Sequence, residues 1–204
     1  IRKLKAETGN SAIVMDAGDV FTRGPLDSLM GEPDFEVMNA VPYDVMTLGN
    51  NEFKASAGSE SLNILRDRIK QANFAIVCAN VFDRTSNQRL VGPYKVFNIC
   101  GVKVAVIGLT TQRNSSNPQY SGVRVDDPIA TAKQLVPDLR KQADFVVALT
   151  HLGVAQDIEL ATVPGIDVII GGDSHTWLDV PLLICCKKTQ PNWAIGGTLV
   201  CQDG

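Results

Sequence analysis

The feature that most constrains this chain is a recurring unit. A short apolar run, rich in β-branched residues, closes on a polar turn holding Gly, Asp, Asn or His. Ala12-Ile13-Val14-Met15 leads into Asp16-Ala17-Gly18-Asp19, and Tyr43–Leu48 leads into Gly49-Asn50-Asn51-Glu52-Phe53. Ala75-Ile76-Val77-Cys78 closes on Ala79-Asn80. Phe145–Leu149 reaches Thr150-His151-Leu152-Gly153, and Asp167–Ile170 reaches Gly171-Gly172-Asp173-Ser174-His175-Thr176. Such runs are too short for helices and read as buried strands. The last two carry both histidines of the 204-residue chain.

Helical segments fall between these strands. Residues 59–72 place Leu62, Leu65 and Ile69 on one face. Asp127-Pro128 opens a helix to about residue 142 as N-cap and first-turn proline, with Pro137 expected to kink it. Shorter helices are predicted at 1–7, 34–40 and 155–161. Tyr94–Ile99 and Val102–Ile107 flank Cys100-Gly101 and read as an antiparallel hairpin within a strand–helix alternation. Further strand-like pieces run from Val180 to Ile184 and from Thr198 to Cys201, and Thr110 to Ser121 reads as a polar loop. The pattern predicts a mixed α/β fold, and the absence of repeats or linkers predicts one domain over 1–204.

Composition narrows the function classes. At 45% hydrophobic and 20% charged residues, the chain has apolar material for a core without metal or disulfides. A net charge of −3 argues against a nucleic-acid polymer as partner. No apolar run approaches the roughly 20 residues that span a bilayer. The five cysteines show no Cys-x-x-Cys spacing. Cys78 and Cys100 are expected to be buried thiols, and Cys185-Cys186 has no assignable role. Asn114-Ser115-Ser116 is a glycosylation acceptor sequence if the chain is secreted by a eukaryote.

Ligands and catalytic groups in open α/β sheets gather beyond the carboxyl ends of strands. The strand ends here bring Asp16 and Asp19, Asn50, Asn51 and Glu52, His151, and Asp173 and His175. A turn rich in Asp and Gly can be a solvated turn and nothing more. Taken together, however, a mixed Asp/Asn/His set suits Mn²⁺, Fe or Zn²⁺ better than Ca²⁺. Paired metals about 3.5–4 Å apart are a general means of hydrolysing phosphate esters.

In order and approximate spacing, these blocks resemble the calcineurin-like metallophosphoesterases, in particular the 5′-nucleotidase branch. The resemblance implies an αββα fold: a β-sandwich flanked by helices, here incomplete. It implies a divalent metal cofactor (Mn, Zn, Mg or Fe, at one or two sites) and a small-molecule phosphoester or nucleotide substrate. It also implies a secreted, periplasmic or cell-surface location. By the same resemblance Asp19 bridges both metals, Asn50, His151 and Asp173 bind the second, and His175 binds the first. Asn51 stands at the catalytic position, with Glu52 beside it as the orienting carboxylate.

Three departures qualify this assignment. The family's first strand, with its Asp-x-His ligands, is expected to be missing, so the first metal site should bind poorly. Asn51 replaces the family's catalytic histidine, and an amide cannot donate a proton near neutral pH. Asp173 replaces a histidine ligand, which a hard or borderline cation tolerates. The domain that grips the nucleoside base in this branch is also expected to be absent. The readings left open are a metal-dependent phosphoester hydrolase of 5′-nucleotidase type, weakened at these positions, and a non-catalytic binding protein with one metal or none.

Overall fold

The computed structural model describes residues 1–21, 25–56, 59–113, 122–184 and 197–202. Two sheets lie face to face. The smaller has the order β1-β2-β3: Met15–Asp16, Val45–Thr47 and Ala75–Val77, all parallel. The larger includes β5 (Tyr94–Ile99), β6 (Val102–Thr110), β8 (Phe145–His151), β9 (Val168–Gly171), β10 (Leu182–Ile184) and β11 (Thr198–Gln202). Its order is β10-β11-β9-β8-β6-β5; the four central strands are parallel and the two outermost pairings antiparallel. A separate antiparallel ribbon joins β4 (Val81–Asp83) to β7 (Val123–Val125).

The period-2 alternation of strand side chains builds the layers. Val45 and Val77 meet Val106, Val147 and Leu149 between the sheets. Met46 points the other way, to Phe35 and Met38 of α2 (Glu32–Ala40) and to Leu62 and Leu65 of α3 (Ser59–Gln71). On the far side, Ala105, Ile107, Val146 and Ala148 pack against Ile129, Ala132 and Val136 of α4 (Pro128–Leu139) and Leu160 of α5 (Val154–Leu160). This is the helix–sheet–sheet–helix layering that the family resemblance implies. β8 is buried from Val146 to His151, which is why it reads as an unbroken apolar run.

Several boundaries differ from expectation for physical reasons. The run at 12–15 yields only Met15–Asp16 as strand, because the Val14 N–H is taken by the Asp44 carboxylate (2.7 Å). That carboxylate also binds Lys5 Nζ at 2.6 Å, docking α1 (Arg2–Thr8), which buries no side chain of its own. α4 is capped by Asp127, which accepts from Ala130 N at 2.7 Å, and it stops at Leu139, two residues past Pro137. Cys78 is buried, and burial pushes its thiol up to about 12. Cys100, expected to be buried, is exposed. It forms the hairpin turn with Gly101, both with positive φ (52° and 90°), and the turn projects its thiol into solvent. The β4–β7 ribbon was not anticipated, since three-residue strands are too short to show a period. Its Phe82 is instead covered by the guanidinium groups of Arg124 and Arg89, 4.5 and 5.1 Å from the ring centroid. Cys185-Cys186 and the acceptor sequence at 114–116 lie outside the described residues.

Asn80 shows how the layers are locked near the strand ends. Wholly buried, it donates to the carbonyls of Thr110 (2.8 Å) and Asp126 (2.9 Å) and accepts from Thr110 N (3.0 Å). An apolar replacement removes the partner of the buried Thr110 N–H and C=O, at about 1–3 kcal/mol each, and of the half-buried Asp126 C=O. Asn80→Ala is therefore expected to lower unfolding stability by about 3 kcal/mol or more. Urea denaturation with an unchanged m-value is the check.

Candidate functional site

Because β1 and β2 run parallel in one sheet, and β8 and β9 in the other, their carboxyl-end loops converge on one end of the sandwich. The first two loops are joined through Glu52. Wholly buried, it accepts from the backbone N–H groups of Asp19 (3.0 Å), Phe21 (3.1 Å) and Gly49 (2.6 Å). Burial and the nearby Asp19 charge push this carboxyl up, against the Phe21 and Asp19 N–H groups and the His151 charge that pull it down. The loops also touch through their glycines. A Cβ on Gly49 would lie 2.3 Å from Asp19 Oδ1, and one on Gly18 (φ +91°) would lie 2.4 Å from Gly49 N.

Asp19, so held, has both oxygens engaged. Oδ1 accepts from Asn51 N at 2.7 Å, and Oδ2 accepts from Asn51 Nδ2 at 2.8 Å. Oδ2 also faces His151 Nε2 at 3.3 Å. His151, the last residue of β8, is 2% exposed and has Nδ1 2.8 Å from the Ala17 carbonyl. A carbonyl can only accept, so Nδ1 carries the proton and Nε2 is turned to the carboxylates. Asp173 Oδ1 lies 3.6 Å from the same Nε2. Burial pulls the His151 imidazole down, yet its hydrogen bond to Asp19 and the Asp19 and Glu52 charges outweigh this and hold it above its ordinary value.

Asn50 completes the group. With its amide turned to satisfy both ends, its nitrogen donates to Asp173 Oδ1 at 3.3 Å and its oxygen accepts from Asn51 N at 3.3 Å. The second oxygen of Asp173 is bound by the Arg113 guanidinium, from the segment that follows β6. Asp16, at the end of β1, accepts from Gly18 N (2.9 Å), and burial pushes its carboxyl up. His175 is exposed and lines the rim of a cleft of about 700 Å³, which runs from Asp16, Asp19 and Asp173 to an apolar wall of Val168, Ile170 and Trp177.

The structure thus brings Asp19, Asn50, Asn51, His151 and Asp173 together, with Asp16 beside them. His175 stands at the edge, and Glu52 acts from beneath through the backbone. Among the described residues, no group of three or more His, Cys, Asp and Glu side chains is set out as a ready metal cage. These groups bond to one another and to Arg113 instead. The chemistry of the set nonetheless fits one divalent cation. Two carboxylates and an imidazole with the tautomer a ligand needs face the same space, and rotation of the Asn50 amide would bring its oxygen there.

Two neighbours were missed in the sequence. Arg113 follows the end of β6, the kind of position that should have marked it, but lay in what read as a polar loop. Asp157, in the middle of a short helix, carried no signal at all. It is wholly buried under the site, with Oδ1 2.7 Å from Thr150 Oγ1 and Oδ2 without a partner.

The fold is that of a calcineurin-like phosphoesterase. That family's model matches residues 1–177, and the chain belongs to the family, in its 5′-nucleotidase branch. It is 38% identical over 194 residues to protein UshA of Yersinia enterocolitica, covering 86% of this chain and 34% of the relative. It is 36% identical to a 5′-nucleotidase of Vibrio cholerae, covering 82% and 33%. Among solved structures, the NAD nucleotidase of Haemophilus influenzae superposes with a TM-score of 0.82 at 30% identity, covering 98% of this chain and 37% of that one. A 5′-nucleotidase precursor from Thermus thermophilus gives 0.82 at 32%, covering 98% and 41%. The chain spans about a third of the length of the curated relatives it matches. Among the described residues, no helix is long and apolar enough to cross a membrane.

Asp157 yields a pH-dependent expectation. Burial, with the Asp173 charge adding to it, pushes its carboxyl from 3.8 to about 7. Between those values the folded chain keeps a proton that the unfolded chain has released, so stability falls as pH rises through this window, by about 4 kcal/mol in all. Asp157→Asn mimics the protonated form and removes the dependence. Urea denaturation of chelator-treated protein should show the variant gaining on the parent from pH 4 to pH 7, then holding a constant lead.

Proposed function

We propose that this chain is the metal-binding domain of a phosphoester hydrolase of 5′-nucleotidase type, acting on nucleoside monophosphates or similar small phosphoesters. The observation that carries this reading is the convergence of Asp19, Asn50, His151 and Asp173 from four strand ends, with the His151 tautomer set by the Ala17 carbonyl. In this reading those four residues hold a divalent cation (Mn, Zn, Mg or Fe). His175 and the other face of Asp19 serve a second, weaker position. A bound cation would supply Lewis-acid stabilisation of charge on phosphoryl oxygens. We take residues 1–204 as a single domain, with recognition of the nucleoside base lying outside it. A periplasmic, secreted or cell-surface location rests on kinship alone.

The chain's own residues then have distinct tasks. Glu52 is a positioning residue, fixing the loops that carry Asp19 and Asn51 through backbone contacts. Asn51, beside Asp19, can donate a hydrogen bond to an anionic oxygen through its amide. It cannot protonate a leaving group, and general acid–base help is worth roughly 10²–10⁴-fold. This specific feature also favours the second reading, a binding protein that holds a phosphoester without turning it over.

Phosphate release from p-nitrophenyl phosphate and adenosine monophosphate, with Mn²⁺ present, separates the two. The hydrolase reading expects slow release by the parent and a gain of roughly 100-fold or more in Asn51→His. It expects loss of release in His151→Ala, checked for an unchanged thermal melt. Absence of release from both the parent and Asn51→His would leave the binding protein standing.

A further inference from the structure

Arg113 takes no part in the chemistry assigned above, yet its guanidinium touches the innermost carboxylate of the cluster. The Asp173 side chain is 5% exposed and that of Arg113 58% exposed, so a long, solvent-anchored cation reaches inward to a buried anion. It binds Oδ2, while Oδ1 of the same carboxylate faces His151 Nε2 and Asn50. The segment is steadied where Arg113 N donates to Thr111 Oγ1 at 3.1 Å. Beside it opens a second cleft of about 490 Å³, lined by Gln112, Arg113, Gly153 and Ser174 and bordered by Asp173. This gives the guanidinium room to meet an anion of phosphate size without leaving the site.

We propose that Arg113 is a built-in competitor for the cation at Asp173, and that an anionic oxygen draws it off, so that metal and anion bind cooperatively. This rests on the reading of Asp173 as a cation donor. Three physical points support it. A guanidinium bound to a carboxylate neutralises the charge that a divalent ion needs, and it repels that ion directly. At about 6 Å, even with the screening of bulk water, the repulsion of a divalent ion by a unit positive charge corresponds to roughly tenfold in affinity. Guanidinium also has a planar fork that fits the oxygens of a tetrahedral anion as well as those of a carboxylate, so exchange between the two loses little geometry. Finally, if the anion loosens the Arg113–Asp173 pair and so favours the metal, the metal must favour the anion by the same factor.

Titration calorimetry of Mn²⁺ into chelator-stripped protein, with and without sulfate as the anion, tests this. Parent protein should bind Mn²⁺ about threefold or more tighter when sulfate is present. Arg113→Gln should bind Mn²⁺ roughly tenfold tighter than the parent without sulfate, and sulfate should no longer change its affinity. Arg113→Lys, which keeps the charge, should remain as weak as the parent. Arg113→Gln leaves the buried Asp173 carboxylate without its cation, so the thermal melt of the metal-free chain should fall in that variant and hold in Arg113→Lys, and calorimetry is run well below both transitions. Equal or weaker Mn²⁺ binding by Arg113→Gln would overturn the proposal and make Arg113 an orienting partner of Asp173. A sulfate effect that survives in Arg113→Gln, or Mn²⁺ binding by neither chain, would overturn it as well. If the affinities shift as stated while no phosphoester is cleaved, the hydrolase reading fails and this one stands.

Discussion

The site depends on a carboxylate that never meets solvent. Glu52 lies where burial opposes its charge, and it is tolerated because three backbone N–H groups converge on its two oxygens. Those donors come from Asp19 and Phe21 after β1 and from Gly49 after β2. One side chain therefore couples two loops that share no ladder hydrogen bond at that point. Asp19 can then present its oxygens to Asn51 and His151 in a fixed direction, and Phe21 is drawn into the core beneath α2 and α3. Remove the carboxylate and the loops keep their sequence but lose their common origin.

The sandwich supplies the other half of the geometry. Between the sheets, Val45 and Val77 press against Val106, Val147 and Leu149, so the sheets have one close-packed arrangement. That arrangement sets β1 and β2 of one sheet opposite β8 and β9 of the other, and it carries Ala17 to within hydrogen-bond reach of His151. The tautomer of His151 is thus decided by the apolar interface behind it.

Much of this was legible in the residues. The parallel core strands announced themselves as β-branched runs, most plainly β8, which is buried from Val146 to His151, and the hairpin through Cys100-Gly101 followed from its turn chemistry. The polar residues after β1, β2, β8 and β9 could be gathered into one site because parallel strands place their carboxyl ends together. What could not be read depended on tertiary partners. Asp44 takes a ladder donor from Val14, a choice made by a side chain thirty positions away. Cys100 looked apolar from its neighbours, but the turn aims it outward. Asp157 reads as an ordinary helix-surface acid, and only the packing of α5 against Thr150 shows that it is buried. Arg113 had no recognisable neighbour in sequence, since its partner, Asp173, is sixty residues away.

The left-handed backbone at Asp19, Asp173 and His175 has a further meaning. Among the described residues, six that are not glycine have positive φ, and these three are half of them. Such conformations cost about 1 kcal/mol or more for residues with a side chain. Glycine at the exposed His175 would relax the backbone while deleting the imidazole, so thermodynamic stability and the proposed ligand chemistry pull that position in opposite directions. At Asp19 and Asp173 the strain is offset by the hydrogen bonds and ion pair that their carboxylates make. Selection for a sturdier chain alone would therefore erode the rim of the cleft before its centre.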